Sequence, residues 1–285
     1  ATVFITGTPT LHAGALNAQA FVNPGSLAPA GPWGDFSLTG GPVSPSGSTS
    51  FGGATFTGNA FASADYGVLK ASGEVSLTGY QRSTNFSHPC SDNPANTCTS
   101  SAAGGFAAFG DTYSCTGGTG TGYVVLTICV TGSTSTTPGV TSRADGNIQV
   151  YQGSESAFGG TFVDFESFTG PTTYKSTPIA FTYGTPLLLN IILQANVFVL
   201  DKDFANDYVY NFDGSADFSH TAQLSFFEVF ADPQMTQAVS NVQLATTSGT
   251  QYAVAGSSAV PEPETYALAL AGLAAVAFKH RKATR

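Results

Sequence analysis

Helical periodicity is almost absent from this chain of 285 residues. Apolar residues come in short runs broken by Gly, Ser, Asn and Pro, as in "FGGATFTGNAFASADYGVLKASGEVSL" at 51–77. That is the pattern of strands separated by tight turns. "AQLSFFEVF" (222–230) alternates with aromatics on both faces, which predicts a central strand. "LLLNIILQANVFVL" (187–200) is apolar enough to be buried on both sides. Only "LHAGALNAQAFV" (11–22), read as a short helix, and the C-terminal run suggest helix. The expectation is an all-β chain: a single β-sandwich of jelly-roll type over residues 1–254, followed by a hydrophobic helix.

Charge narrows the function classes. Charged residues are 9% of the chain, against the usual quarter. Before residue 261 the basic residues are Lys70, Arg82, Arg143, Lys175 and Lys202, against sixteen Asp and Glu. A chain with no cationic surface cannot neutralise phosphates, so nucleic acid is excluded as a partner. Solubility carried by Ser, Thr, Asn and Gly suits an exported protein. Ala1, with strand-like "ATVFITG" behind it, is read as a mature start after signal removal.

Four cysteines, Cys90, Cys98, Cys115 and Cys129, lie within 83–146. An even count in an exported chain favours two disulfides, and three pairings are open. Cys90–Cys98 with Cys115–Cys129 is preferred, since each bond then closes a short segment. Residues 83–146, rich in Gly, Ser and Thr, are read as a disulfide-braced insertion on the sandwich. "TGSTSTTPGVTS" (131–142) is either an unmodified loop or a carrier of O-linked sugar.

Little points to catalysis. There is no G-x-S-x-G elbow. Asp217, Ser219 and His220 fall together in "DFSHTAQ", where a polar strand edge is the expected reading over a triad. Asp164 and Glu166 share one strand face, a spacing available to glycosidase carboxylates and equally to solvated acids. The chain is therefore expected not to be an enzyme and to need no cofactor, calcium being the one exception. Asp201, Asp203 and Asp207, in "DKDFANDYVYNFDG", are hard oxygen ligands two to four residues apart. Trp33 and the tyrosines are candidate platforms for sugar rings.

The C-terminus carries the sharpest signal. A small-residue linker (255–260) leads to Pro261-Glu262-Pro263, then Thr265 and Tyr266, then the apolar Tyr266–Phe278 run with Gly272, then Lys279, Arg281 and Lys282. As a helix the run reaches about 20 Å, short of the ~30 Å hydrocarbon core. The basic cluster would hold its end on the cytoplasmic side, and the prolines keep 261–263 extended. "VPEPETYALALAGLAAVAFKHRK" closely resembles the PEP-CTERM sorting signal of Gram-negative bacteria. "ASADYGVLKASGEVSLTG" (62–79) and "GSADFSHTAQLSFFEVF" (214–230) look like phrases common in the ectodomains that bear it. The resemblance implies recognition of Pro261, Glu262 and Pro263 by exosortase, a transient inner-membrane anchor at 261–285, and delivery to the cell surface or beyond. It also implies an association with exopolysaccharide or biofilm. A lectin-like carbohydrate-binding module, assisted by calcium, is the alternative. Calorimetry at millimolar calcium should show weak binding, abolished by replacing Asp201, Asp203 and Asp207 with Asn; no heat and no change in Tm would remove the site.

Overall fold

The computed structural model describes residues 15–24, 33–51, 53–80, 99–138, 142–153, 161–200 and 210–255, and every regular element among them is a strand. The strands form two sheets packed face to face. The first runs in the order β2 (Trp33–Ser37), β1 (Ala15–Asn23), β6 (Thr99–Thr116), β12 (Leu187–Leu200), β8 (Ser142–Gln152), β9 (Thr161–Phe168), with β14 (Gln243–Thr246) also on β6. The second runs β10 (Thr172–Lys175), β7 (Thr121–Thr136), β13 (Tyr210–Phe230), β5 (Val68–Tyr80), β4 (Ala54–Asp65), β3 (Ser46–Phe51). In it β11 (Ile179–Thr182) adds to β7 and β15 (Ala253–Val254) to β13. All pairings are antiparallel except β13 with β15. β3, β4 and β5 make a meander inside one sheet; thereafter the chain changes sheets at most connections.

The expected all-β sandwich is present, and β12 and β13 are interior strands as their sequences predict. Three expectations are corrected. Residues 15–22 are strand, not helix: Leu16, Ala18, Ala20 and Val22 turn to the core at a period of two. The 83–146 segment is no insertion over its described part, because Thr99–Thr116 and Thr121–Thr136 are interior strands of the two sheets. The Cys115–Cys129 bond is not formed. Cys115 is buried in the core from β6, Cys129 is exposed on β7 of the other sheet, and both thiols are free. Burial pushes the Cys115 thiol up to about 11, so it packs as a neutral apolar group. Cys90, Cys98 and the expected C-terminal helix lie outside the described residues.

Large rings fill the core on both sides of a thin waist: toward one end Tyr113 meets Phe227 at 5.0 Å and Tyr252 at 5.7 Å between centroids, and toward the other Phe56 and Phe212, the strand partners of Leu77, are fully buried. Where β6 crosses β4 and β5 the buried residues are Ala60, Ala62, Ala71, Ala103 and Ala107. Two glycines bring the backbones together there. A Cβ on Gly73 would stand 2.5 Å from the Ala103 carbonyl oxygen, and one on Gly105 would collide with the Phe61 carbonyl. No side chain separates the sheets at this point. Gly105→Ala should therefore cost about 1–3 kcal/mol, the usual penalty for overpacking, measured as a lower denaturation midpoint with an unchanged m-value.

Candidate functional site

The contact that pins the sheets also shapes the outer surface of the second sheet. β4 and β5 are drawn toward β6 at Phe61 and Gly73, and over them lies an open cavity of about 480 Å³. Ala60 and Gly73 are among its lining residues, so backbone forms part of the basin. Its polar walls come from alternate residues of neighbouring strands. One row is Asn59, Glu74 and Ser215; the next is Phe61, Ser72, Asp217 and Ser133. Ser44 and Ser219 complete the rim.

Two carboxylates govern the electrostatics. Glu74 is exposed and takes one long hydrogen bond, from Asn59 Nδ2 at 3.4 Å. Asp217 is half-buried. The pairing of β13 with β5 slips between Phe218 and Ala222, and this irregularity holds Ser219 beside Asp217. Ser219 donates through its N–H (3.0 Å) and its hydroxyl (2.6 Å), both to Oδ1. Partial burial pushes the Asp217 carboxyl up, but the Ser219 bonds and nearby His220 outweigh it and leave the group below its ordinary range. Asp217 is thus a carboxylate at neutral pH. Among the described lining residues there is no Lys or Arg; Lys70 lies two positions beyond Ser72 on β5. Carboxylate acceptors, hydroxyls of either sense and one half-buried aromatic face suit a hydroxyl-bearing ligand.

The residues singled out from sequence have other places. The Ser219 hydroxyl donates to Asp217 and His220 is exposed, so the three do not form a serine–histidine–carboxylate relay. Asp164 accepts the Phe165 N–H at 2.8 Å and the Thr177 N–H at 2.7 Å. It clips the edge strand β9 to the segment after β10. Tyr174 lies alongside, its hydroxyl pushed well up by burial and by the charges of Asp164 and Glu166. Trp33 is no exposed platform: it stacks on buried Phe56 at 6.5 Å with an interplanar angle of 5°. Among the described residues the exposed phenyl rings are Phe36, Phe162 and Phe165, which no sequence pattern marked.

The outer face of the first sheet carries a polar file. Tyr151 donates to Gln149, Gln149 to Asn147 and Asn147 to Gln194, a file of side chains satisfying one another. Ala108 and Ile192 nearby are fully buried and packed with Ala15, Phe106 and Tyr151. Asp201, Asp203 and Asp207 lie outside the described residues. Among those described, no group of three or more His, Cys, Asp or Glu is placed to hold a metal, and no helix is long and apolar enough to cross a membrane.

Comparison with known proteins adds one match. Residues 259–282 fit the PEP-CTERM protein-sorting motif. The chain carries a PEP-CTERM signal. Pro261, Glu262 and Pro263 fall within the match, although outside the residues whose structure is described. No curated protein matches the chain. The PEP-CTERM motif implies an exported protein processed by exosortase in transit through the membrane, and it begins a few residues after β15 ends at Val254.

The Asp217 geometry carries a pH signature. A folded carboxyl held below its unfolded value adds stability above the ordinary carboxylate range, lost as pH falls through the lowered value. Ser219→Ala should raise the Asp217 titration midpoint in carboxyl NMR and flatten the acid limb of stability against pH. An unmoved midpoint would show that the Ser219 bonds do not hold the charge.

Proposed function

We propose that this chain is a non-enzymatic, exosortase-sorted protein of the cell surface or extracellular matrix, contributing to an exopolysaccharide layer or biofilm. The PEP-CTERM match at 259–282 carries the reading. A sorting address accounts for a basic cluster confined to the end of an otherwise acidic chain. On this reading the jelly-roll-type sandwich is the cargo and exosortase is its obligate partner. The inner membrane is a temporary one, held through the short apolar run.

A second reading has its own support. The basin over β4, β5 and β13 has the volume of a small-ligand site, and its lining of hydroxyls, carboxylates and one ring suits a polyol. It favours a lectin-like module, with calcium as an assisting ion if the 201–207 acids bind it.

The sorting reading is tested with one tag inside the ectodomain and another after Arg285. In the wild type the ectodomain tag should reach the surface or medium without the C-terminal tag. Glu262→Ala should leave the ectodomain folded and keep both tags in the inner membrane. Joint export of both tags would remove the support for the reading.

A further inference from the structure

We infer that the basin on the second sheet is a saccharide site that selects uncharged sugars and rejects uronate-bearing ones. The inference rests on the lectin-like reading and specifies its ligand. Glu74 and Asp217 belong to adjacent rows of neighbouring strands. Any ligand occupying the cavity therefore meets both carboxylates. The lowered Asp217 keeps its charge at neutral pH; the described lining holds two carboxylates and no cation, so the site stays net negative even with Lys70 one row beyond Ser72 on the same face. An acidic sugar here would stand within one Debye length, about 8 Å at physiological salt, of both charges, so ions in solution would not screen the repulsion away.

The same groups favour a neutral sugar. A carboxylate accepts from hydroxyls in charge-assisted hydrogen bonds, roughly twice as strong as neutral ones. Both Ser219 bonds fall on Oδ1 of Asp217, and Oδ2 takes part in neither. Among the described residues Glu74 takes one long bond, from Asn59 to Oε2. Ser72 and Ser215 donate or accept as the hydroxyl pattern requires. Phe61 gives the one aromatic face in the lining, against which the C–H face of a pyranose can rest. The floor is fixed, because Gly73 and Phe61 rest on the backbone of β6, so little ordering is required on binding.

The test uses the purified full chain against arrayed neutral hexose and N-acetylhexosamine oligosaccharides and, in parallel, alginate oligomers. Neutral probes should bind and alginate should not. Glu74→Gln should weaken neutral binding about tenfold, as expected for one charge-assisted bond, with Tm unchanged because the residue is exposed. Phe61→Ala should weaken it and Phe61→Tyr retain it. Alginate bound as tightly as neutral probes would overturn the selectivity while leaving the lectin-like reading intact. Neutral binding indifferent to both Glu74→Gln and Phe61→Ala would place the site elsewhere. Binding of neither class would overturn this inference and the lectin-like reading together.

Discussion

The architecture depends on one backbone contact. Stacked sheets ordinarily stand about 10 Å apart because side chains fill the space between them. Here Gly73 and Gly105 remove the side chains at the crossing of β5, β4 and β6, and alanines surround that point. The sheets meet there and part on either side, toward Tyr113 and Phe227 in one direction and toward Phe56 and Phe212 in the other. The interior is waisted: small residues cannot prop the sheets open, and large ones cannot fit where they touch. The basin lies over the waist, so the core packing and the outer recess have a common origin.

The acidic residues have a related role. Among the described residues there are only two ion pairs, Arg143–Asp145 and Lys175–Glu228. Most other acids with described partners hold backbone amides. Asp111, buried in β6, accepts from Thr112 and from both the N–H and the hydroxyl of Ser248. Asp232 gathers the N–H groups of Gln234, Thr236 and Gln237 into a tight turn. Asp164 ties an edge of one sheet to a loop of the other. In a chain with few cations, carboxylates find their partners in turn amides left unpaired by the sheets.

Strands made of large apolar residues were legible. The 187–200 run coincides with β12 (Leu187–Leu200), because Leu, Ile, Val and Phe declare a buried strand. β6 was not, since "TSSAAGGFAAFGDTYSCT" has the composition of a loop. Small residues suit that strand only because another backbone lies against it, a tertiary fact without local trace. Of β13, "AQLSFFEVF" was marked as a central strand and "DFSHTAQ" only as a polar strand edge, whereas Phe212, Ala216 and Phe218 point inward and the polar residues between them face out. The site was half visible. Asp217 and Ser219 stood out as neighbours in sequence, but Asn59, Glu74 and Ser72 join them only through strand pairing, which spacing along one chain does not encode. The sorting motif, contiguous and independent of folding, was fully legible.

The position of β15 fixes where the chain leaves the sandwich on its way to the sorting motif. Ala253–Val254 runs parallel to the last part of β13, beside Phe226 and Phe227, and the chain leaves toward that end. From Ala255 to Pro261 is six residues, a tether of at most ~20 Å. Asp217 pairs with Ser133 and Phe227 with Leu126 on β7, a separation of roughly 23 Å at the strand rise. The sorting motif therefore follows a pole of the sandwich ringed by Tyr113, Phe227 and Tyr252, and the basin lies away from that exit, at the waist of the sheet.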